Sequence, residues 1–408
     1  MAIRASMHEV GGVLLEKLLD TDTGYRGPQV DCGKGHQASF VDYRSKNILT
    51  VLSPMKVRRA YYHCADCQQG QVPKDRDLDI VATSFSPGVR RLMGRLGSKE
   101  PFDEGRADLE ALAGILVNTK QVERVSENLG EEVEAIARKE RRAVLSGKIV
   151  LLRAVPKMYI AIDGTGVPMV PRETEARQGK DESGPAKTRE AKLGCVFTQT
   201  RLDEKGRPLR DPESTTYVAA IESAEPFGER IFTEAIRRGL RRAEKIIVIG
   251  DGAPWIWNLA AEHFPDAVEI VDLYHAREHL QDLGKVLYGP SKAKSWAEAR
   301  ITQLDAGDIE GLITTMQRLR PTGTIAKEEL RKAVGFFRTN AKRMRYRIFR
   351  DQGFFVGSGV VEAGCKTIVG RRLKQSGMRW TVRGANAVIA LRCCELSGRW
   401  EQFWEARV

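Results

Sequence analysis

Met158-Tyr-Ile-Ala-Ile-Asp163-Gly-Thr-Gly166 is the stretch that decides the fold of this chain. An unbroken apolar run that ends in Asp-Gly is typical of a strand buried on both faces of a sheet. Lys245-Ile-Ile-Val-Ile-Gly-Asp251-Gly repeats the pattern. The other predicted strands are 194–200, 214–222 and 268–272. Three strands come before the first long helix, at 226–242, and strand and helix alternate afterwards, which predicts an α/β fold.

Two carboxylates, Asp163 and Asp251, end these predicted strands, and Glu362 opens a basic helical segment. Carboxylate oxygens are the ligands that Mg²⁺ prefers, and two such ions about 4 Å apart serve phosphodiester chemistry. We therefore expect the three acids to hold Mg²⁺, or Mn²⁺ in its place. Asp-Gly is also a common turn dipeptide, so a purely structural role for each aspartate stays open.

The charge balance points to the class of partner. The chain has 66 Lys and Arg against 54 Asp and Glu, a net charge of +12, which favours nucleic acid as the substrate. No apolar run approaches the roughly 20 residues of a membrane span, and the N-terminal residues lack a signal-peptide pattern. We expect a cytoplasmic protein whose seven cysteines are reduced or bind metal.

Four side chains have the spacing of a zinc ribbon: Cys32, His36, Cys64 and Cys67. Cys64 and Cys67 form a regular Cys-x-x-Cys pair beside a short β-like run. The other pair is irregular, so a degenerate ribbon that folds without metal remains an alternative, and His63 is a substitute candidate for His36. This reasoning predicts a small β module at 28–75 with bound Zn²⁺.

Two regions are candidate DNA contacts. Helices predicted at 108–117 and 119–129 have the length and short turn of a helix-turn-helix, although a plain helical hairpin fits equally. The second helix would present Lys120, Gln121 and Arg124 to DNA. A second basic cluster follows Glu362 and comprises Lys366, Arg371, Arg372, Lys374 and Arg379, with Trp380 as a base-stacking candidate.

Four stretches resemble a known family: Asp163-Gly-Thr-Gly-Val-Pro-Met169, Gly250-Asp-Gly-Ala-Pro-Trp-Ile-Trp257, Val271-Asp-Leu-Tyr-His-Ala-Arg-Glu-His-Leu280 and Gly357-Ser-Gly-Val-Val-Glu-Ala-Gly-Cys-Lys366. They are similar to bacterial insertion-sequence transposases of the ISKra type, a group similar to the Mutator-like DDE transposases. The resemblance covers residues 28 to 400. It implies an RNase H-like catalytic core interrupted by a helical insertion.

The resemblance also implies roles for individual residues. The three acids of the family fall on Asp163, Asp251 and Glu362. The family's Asp-x-x-His signature falls on Asp272 and His275, and His275 is expected to assist catalysis from nearby.

The expected organisation has five parts. A zinc-ribbon-like N-terminal segment (1–85) is followed by a helical DNA-binding region (86–150), a first part of the core (156–272), a helical insertion (273–355) and C-terminal core helices (356–408).

The expected function is cleavage of transposon ends and strand transfer into target DNA, with at least a dimer on DNA. An RNase H-like nuclease and an inactive DNA-binding relative remain alternatives. A more remote one is a zinc peptidase, because His275-Ala-Arg-Glu278-His279 matches the His-x-x-Glu-His pattern.

Overall fold

The computed structural model describes residues 2–147, 154–175, 177–179 and 184–407. The described chain is mixed α/β and divides into two compact units: Met1–Leu129 together with Arg399–Val408, and Gly130–Gly398. The end of the predicted helical region, 148–150, lies outside the described residues. None of the helices in the described ranges is both long enough and apolar enough to cross a bilayer.

The first 145 residues form a small antiparallel sheet and five helices. The elements are α1 (Ala2–Asp20), β1 (Gln29–Asp31), β2 (Gln37–Leu49), β3 (Pro54–Cys64), β4 (Gln69–Gln71), α2 (Pro73–Asp77), α3 (Pro87–Lys99), α4 (Phe102–Asp108) and α5 (Thr119–Leu145). The strands lie in the order β1-β2-β3-β4 and every neighbouring pair is antiparallel. Ile48, Met55 and Val57 are buried on one face of the sheet, where Leu15 and Leu19 of α1 pack against them.

The helix predicted at 108–117 is wrong in its extent. A single π-helical stretch, Leu109–Ala113, follows α4, and Gly114 ends it with a left-handed φ of +70°. Leu112 and Leu116 are each 71% exposed, so the apolar residues of the predicted helix do not form one buried face. The two helices predicted after it are one continuous helix, α5, because Gly130 does not break it.

The remaining elements, in chain order, follow. They are β5 (Val155–Pro168), β6 (Thr188–Gln199), β7 (Arg201–Leu202), β8 (Pro208–Leu209), β9 (Thr216–Ala220), α6 (Ala224–Arg237), β10 (Ala243–Gly250), α7 (Pro254–His263), β11 (Val268–Val271), α8 (Leu273–Asp305), α9 (Ile309–Gln317), α10 (Thr324–Thr339), α11 (Tyr346–Asp351), α12 (Gly359–Gly364), α13 (Arg371–Leu373), α14 (Val382–Leu396) and α15 (Trp400–Glu405). A π-helical segment, Cys365–Gly370, joins α12 to α13. The stretch from 273 to 351 is helical throughout apart from short connections, as the sequence predicted.

A mixed five-stranded sheet forms the centre of the second unit, in the order β11-β10-β5-β6-β9. β5, β6 and β9 are antiparallel neighbours, whereas β10 runs parallel to β5 and β11 parallel to β10. Met158 to Ile162 are all buried, which explains the apolar run that the sequence shows in β5.

Helices cover both faces of this sheet, and two glycines of close packing show where. A Cβ on Gly194 of β6 would lie 2.7 Å from Ile231 of α6. On the opposite face, a Cβ on Gly364 of α12 would lie 2.9 Å from Tyr217 and 3.1 Å from Leu193. Since Leu193 is the register partner of Asp163, α12 packs on the face to which the Asp163 side chain belongs.

Candidate metal-binding active site

Asp163 and Asp251 lie on neighbouring parallel strands. Pairing between β10 and β5 runs to Ile249 and Ala161, and each aspartate comes two residues after its member of that pair. Because neighbouring strands are about 4.8 Å apart, this register brings the two carboxylates to the same edge of the pairing. The charge of Asp251 acts on Asp163, which is consistent with that proximity.

Asp163 differs from its prediction in one respect, because it does not end its strand. β5 continues to Pro168 and stays paired with β6 as far as Thr188. Gly164 allows this, since a Cβ there would lie 2.5 Å from a carboxylate oxygen of Glu190. Asp251 does end its strand: its Oδ1 accepts the backbone N–H of Ala253 at 2.9 Å, the turn that the Asp-Gly dipeptide predicts.

Glu362 lies on α12, and its partners connect it to Asp163. The Ser358 hydroxyl lies 3.3 Å from Glu362 Oε1. One turn further along, the Cys365 thiol donates to Asp163 Oδ2 at 3.3 Å. Cys365 and Glu362 are three residues apart in a helical segment, so the contact brings the helix that carries Glu362 to Asp163. The sequence analysis treated Cys365 as a core residue, although its spacing from Glu362 was the available signal.

Burial and like charge both act on Asp163. Removal from water raises its pKa, and the negative charge of Asp251 raises it further, against the Gly164 N–H, the Cys365 thiol and His275. Among the described residues, no Lys or Arg forms an ion pair with Asp163, Asp251 or Glu362. In a chain of net charge +12, three acids without basic partners form a local site for a cation.

The three carboxylates do not gather their oxygens as tightly as the cysteine site does. Within the described ranges, Cys32, His36, Cys64 and Cys67 are the one set of three or more ligand groups close enough together to hold a metal ion. The acidic residues therefore share one region of the sheet without forming a compact ligand set.

Asp272 connects two elements around this region. Its Oδ1 accepts the His275 N–H at 2.7 Å and caps α8, and its Oδ2 accepts the N–H of Ser358, just before α12. The Leu273 N–H donates to the Val356 carbonyl at 2.9 Å and makes the same connection. Asp272 is only 2% exposed, so it acts within the fold, and the Asp-x-x-His signature positions the segment that leads to Glu362.

His275 and His279 lie one turn apart on α8, with ring centroids 4.8 Å from each other. His275 Nδ1 is 3.6 Å from a carboxylate oxygen of Glu278, and the His279 ring stacks on Phe336 at 4.1 Å. Burial, followed by the nearby His275, lowers the pKa of His279. No third ligand joins the two histidines among the described residues, so the arrangement gives no support to the peptidase alternative.

The basic cluster after Glu362 divides by exposure. Lys366, Arg371, Lys374 and Arg379 are exposed, and the Lys374 ammonium donates to the Thr165 hydroxyl, two residues beyond Asp163. Arg372 is fully buried with its guanidinium 5.0 Å from the Trp380 ring centroid, and Trp380 is 8% exposed and donates to the Leu373 carbonyl. The prediction that Arg372 and Trp380 contact DNA does not fit this burial, because both side chains pack inside the unit.

The first turn of α5 carries the other DNA candidates. The Lys120 side chain is 80% exposed and pairs with Glu123 at 2.7 Å. Gln121 and Asn118 exchange backbone-to-side-chain hydrogen bonds of 2.8 and 2.9 Å, which cap the helix. Arg124 is exposed. Of the three, Gln121 has a structural use and Lys120 a partner, which leaves Arg124 as the most available for a ligand.

The four predicted zinc ligands meet in the N-terminal module, with their ligand atoms all within 4.8 Å of one another. His36 Nδ1 lies 3.1 Å from Cys67 Sγ, and Cys32 Sγ lies 3.7 Å from the same sulfur. Burial and the neighbouring thiols raise the pKa of Cys67 to about 11, whereas backbone N–H groups lower that of Cys32 against the effect of burial. Two sulfurs and a nitrogen around a third sulfur are a donor set that suits Zn²⁺.

Comparisons with known proteins place part of the chain in context. The solved structure of the Drosophila P element transposase strand transfer complex is 10% identical and covers 79% of this chain and 81% of its own, but its TM-score of 0.27 is too low to support an inference. No curated protein matches this sequence. The model of an uncharacterised protein family, UPF0236, matches residues 212–406. That match includes Asp251 and Glu362, and it leaves Asp163 and the cysteine site outside, so this chain is similar to that family over its C-terminal half.

Proposed function

We propose that this protein is a DDE-type DNA transposase of an insertion sequence, related to the ISKra type that its motifs resemble. The observation that carries the proposal is the convergence of Asp163, Asp251 and the Glu362 helix on one face of the mixed sheet, without basic partners among the described residues. An RNase H-like core is supported by three antiparallel strands followed by two parallel ones, in the order β11-β10-β5-β6-β9.

The donor set fits Mg²⁺. The three acids offer hard oxygen ligands, and the raised pKa of Asp163 is the expected consequence of burying like charges that a divalent ion would neutralise. Bound Mg²⁺ or Mn²⁺ would activate an attacking oxygen and stabilise the leaving one. The carboxylates would draw together around the ions, which the strand register of Asp163 and Asp251 permits.

The remaining residues would position the DNA. Lys374 lies beside Thr165, near Asp163, and with Lys366 and Arg371 it would bind phosphates of the transposon end. His275 would act from the side, through its charge on Asp163. Water would cut the transposon end, and the freed 3′-hydroxyl would then attack target DNA, so two ends need to be brought together and at least a dimer is expected on DNA in the bacterial cytoplasm.

The cysteine site has a separate role in this proposal. Cys32, His36, Cys64 and Cys67 would hold a structural Zn²⁺ that joins the ends of short strands. The small sheet buries few apolar residues around them, so metal binding would contribute much of its folding free energy.

The test is nicking of supercoiled DNA that carries the ends of the element, in the presence of Mg²⁺ or Mn²⁺. We expect nicking by the wild type and none by Asp251→Ala. Asp282→Ala is the matched control, because Asp282 is an exposed carboxylate that pairs with Lys285 at 2.7 Å, and it should nick normally. Equal nicking by both variants would reject the proposed centre.

A second assay separates a transposase from a nuclease with the same core. A pre-cleaved end with a free 3′-hydroxyl is incubated with target plasmid, and joined product is measured. A transposase joins the end, whereas a nuclease nicks without joining, and an inactive DNA-binding relative does neither.

A further inference from the structure

The hairpin of β2 and β3 has two faces of different chemistry. Its inner face buries Ile48, Met55 and Val57. On its outer face, Ser45 lies opposite Arg58 and Asn47 opposite Lys56 in the strand register. The outer face comprises Tyr43, Ser45, Asn47, Lys56 and Arg58, all of them exposed.

The cations of the two faces differ in their partners. On the inner face, Lys46 and Arg59 form ion pairs with Asp75 at 3.2 and 2.7 Å. On the outer face, no carboxylate among the described residues lies within ion-pair distance of Lys56 or Arg58. Glu16 comes near, but it accepts the backbone N–H of Lys56 at 3.2 Å and does not bond its ammonium. The same two strands therefore carry neutralised charge inside and available positive charge outside.

An aromatic ring organises the outer face. The Arg58 guanidinium lies over the Tyr43 ring, 4.3 Å from its centroid, and Tyr43 is 41% exposed. Phe40 meets Tyr43 edge-on at 5.2 Å and supports the ring from the side of the module core. A guanidinium held flat on a ring keeps its N–H donors directed sideways, where they can bind phosphate.

We propose that this outer face binds duplex DNA as a two-stranded β-ribbon. A ribbon of this width enters the major groove, and Arg, Lys, Ser and Asn are the side chains that contact phosphates and base edges. The inference rests on the proposed function for the class of partner. It assigns a contact to residues outside α5 and outside the basic cluster after Glu362.

The experiment measures binding of the full chain, loaded with zinc, to a short labelled duplex by fluorescence anisotropy across a salt series. Lys56→Gln combined with Arg58→Gln should lower the slope of log affinity against log salt by about 2, because each phosphate contact contributes about 0.9. At 0.1 M salt this corresponds to a loss of about 60-fold in affinity. The matched control, Lys34→Gln with Arg44→Gln, removes two exposed cations outside this face and should keep the wild-type slope.

Melting temperatures of both double variants should match the wild type, because all four side chains are exposed. Equal slopes for the two double variants, with wild-type DNA binding intact, would overturn the surface while Asp251-dependent nicking left the proposed function standing. A wild type that binds single-stranded RNA or an acidic protein, and not duplex DNA, would overturn it as well.

Discussion

Replacing Gly364 by alanine tests how the Glu362 helix reaches the sheet. The added Cβ would lie 2.9 and 3.2 Å from two ring carbons of Tyr217 and 3.1 Å from a methyl of Leu193. Leu193 is fully buried and the Tyr217 N–H is bonded to the Ser397 hydroxyl at 2.9 Å, so neither neighbour can easily give way. The helix would have to move away from Asp163.

Overpacking of this kind costs about 1–3 kcal/mol of unfolding free energy. For a unit of this size, each kcal/mol lowers the melting temperature by about 2–4 °C. Displacement of α12 would also separate Glu362 from Asp163, because the contact that joins them is the single thiol of Cys365 at 3.3 Å. We therefore expect a lower melting temperature and a loss of metal-dependent nicking that exceeds the loss of folded protein.

Gly359→Ala is the matched control for this experiment. Gly359 begins the same helix, and a Cβ there would have no neighbour within 4 Å. Alanine in place of a helical glycine is neutral or stabilising by up to about 1 kcal/mol. If Gly364→Ala melts at or above the wild-type temperature and nicks DNA normally, close approach of α12 does not fix the position of Glu362.

Three further changes test other parts of the molecule. Cys64→Ala should abolish binding of one Zn²⁺ per chain, measured by atomic emission and by the absorption of a Co²⁺-substituted sample, whereas His63→Ala, outside the ligand set, should retain it. Asp163→Asn should raise the melting temperature in magnesium-free buffer at neutral pH: a raised carboxyl pKa contributes stability that is complete below the unfolded pKa near 3.8 and is lost as the pH rises, so the two proteins should converge in acid and separate towards pH 7. Lys374→Gln should weaken binding of a transposon-end duplex by several-fold and lower the salt slope by about 1, while an unchanged slope would remove Lys374 from the DNA contact.

The strands of the central sheet were predictable from the sequence because they are buried on both faces. The runs at 158–163 and 245–250 lie inside β5 and β10, and the structure extends β5 by five residues beyond Asp163. That extension was hidden, since Asp163-Gly-Thr-Gly has the composition of a turn and only pairing with β6 makes it a strand. The cysteine site was also predictable, because its ligands are close in sequence to the strands that bring them together.

Side-chain burial in the segment after Glu362 was not predictable. A run of Lys and Arg suggests a solvated face, yet the chain passes through π-helical geometry from Cys365 to Gly370 and turns Arg372 inward over Trp380. The buried Arg392 of α14 donates to the carbonyls of Thr367 and Ile368, groups that a regular helix would use internally. These contacts join residues about 25 positions apart, which local periodicity cannot reveal.

The helical insertion contributes to the construction of the acidic site. Phe336 of α10 packs against Gly252, where a Cβ would lie 2.6 Å from the ring, and Gly252 has a φ of +101° that favours glycine. The same ring stacks on His279, so one aromatic side chain joins the turn after Asp251 to the helix that carries His275. Residue 336 follows Asp251 by 85 positions, and the sequence pattern of α10 indicates only an apolar face. The insertion is therefore built into the position of the second acid, and its first role in the proposed chemistry is to hold the Asp251 turn in place.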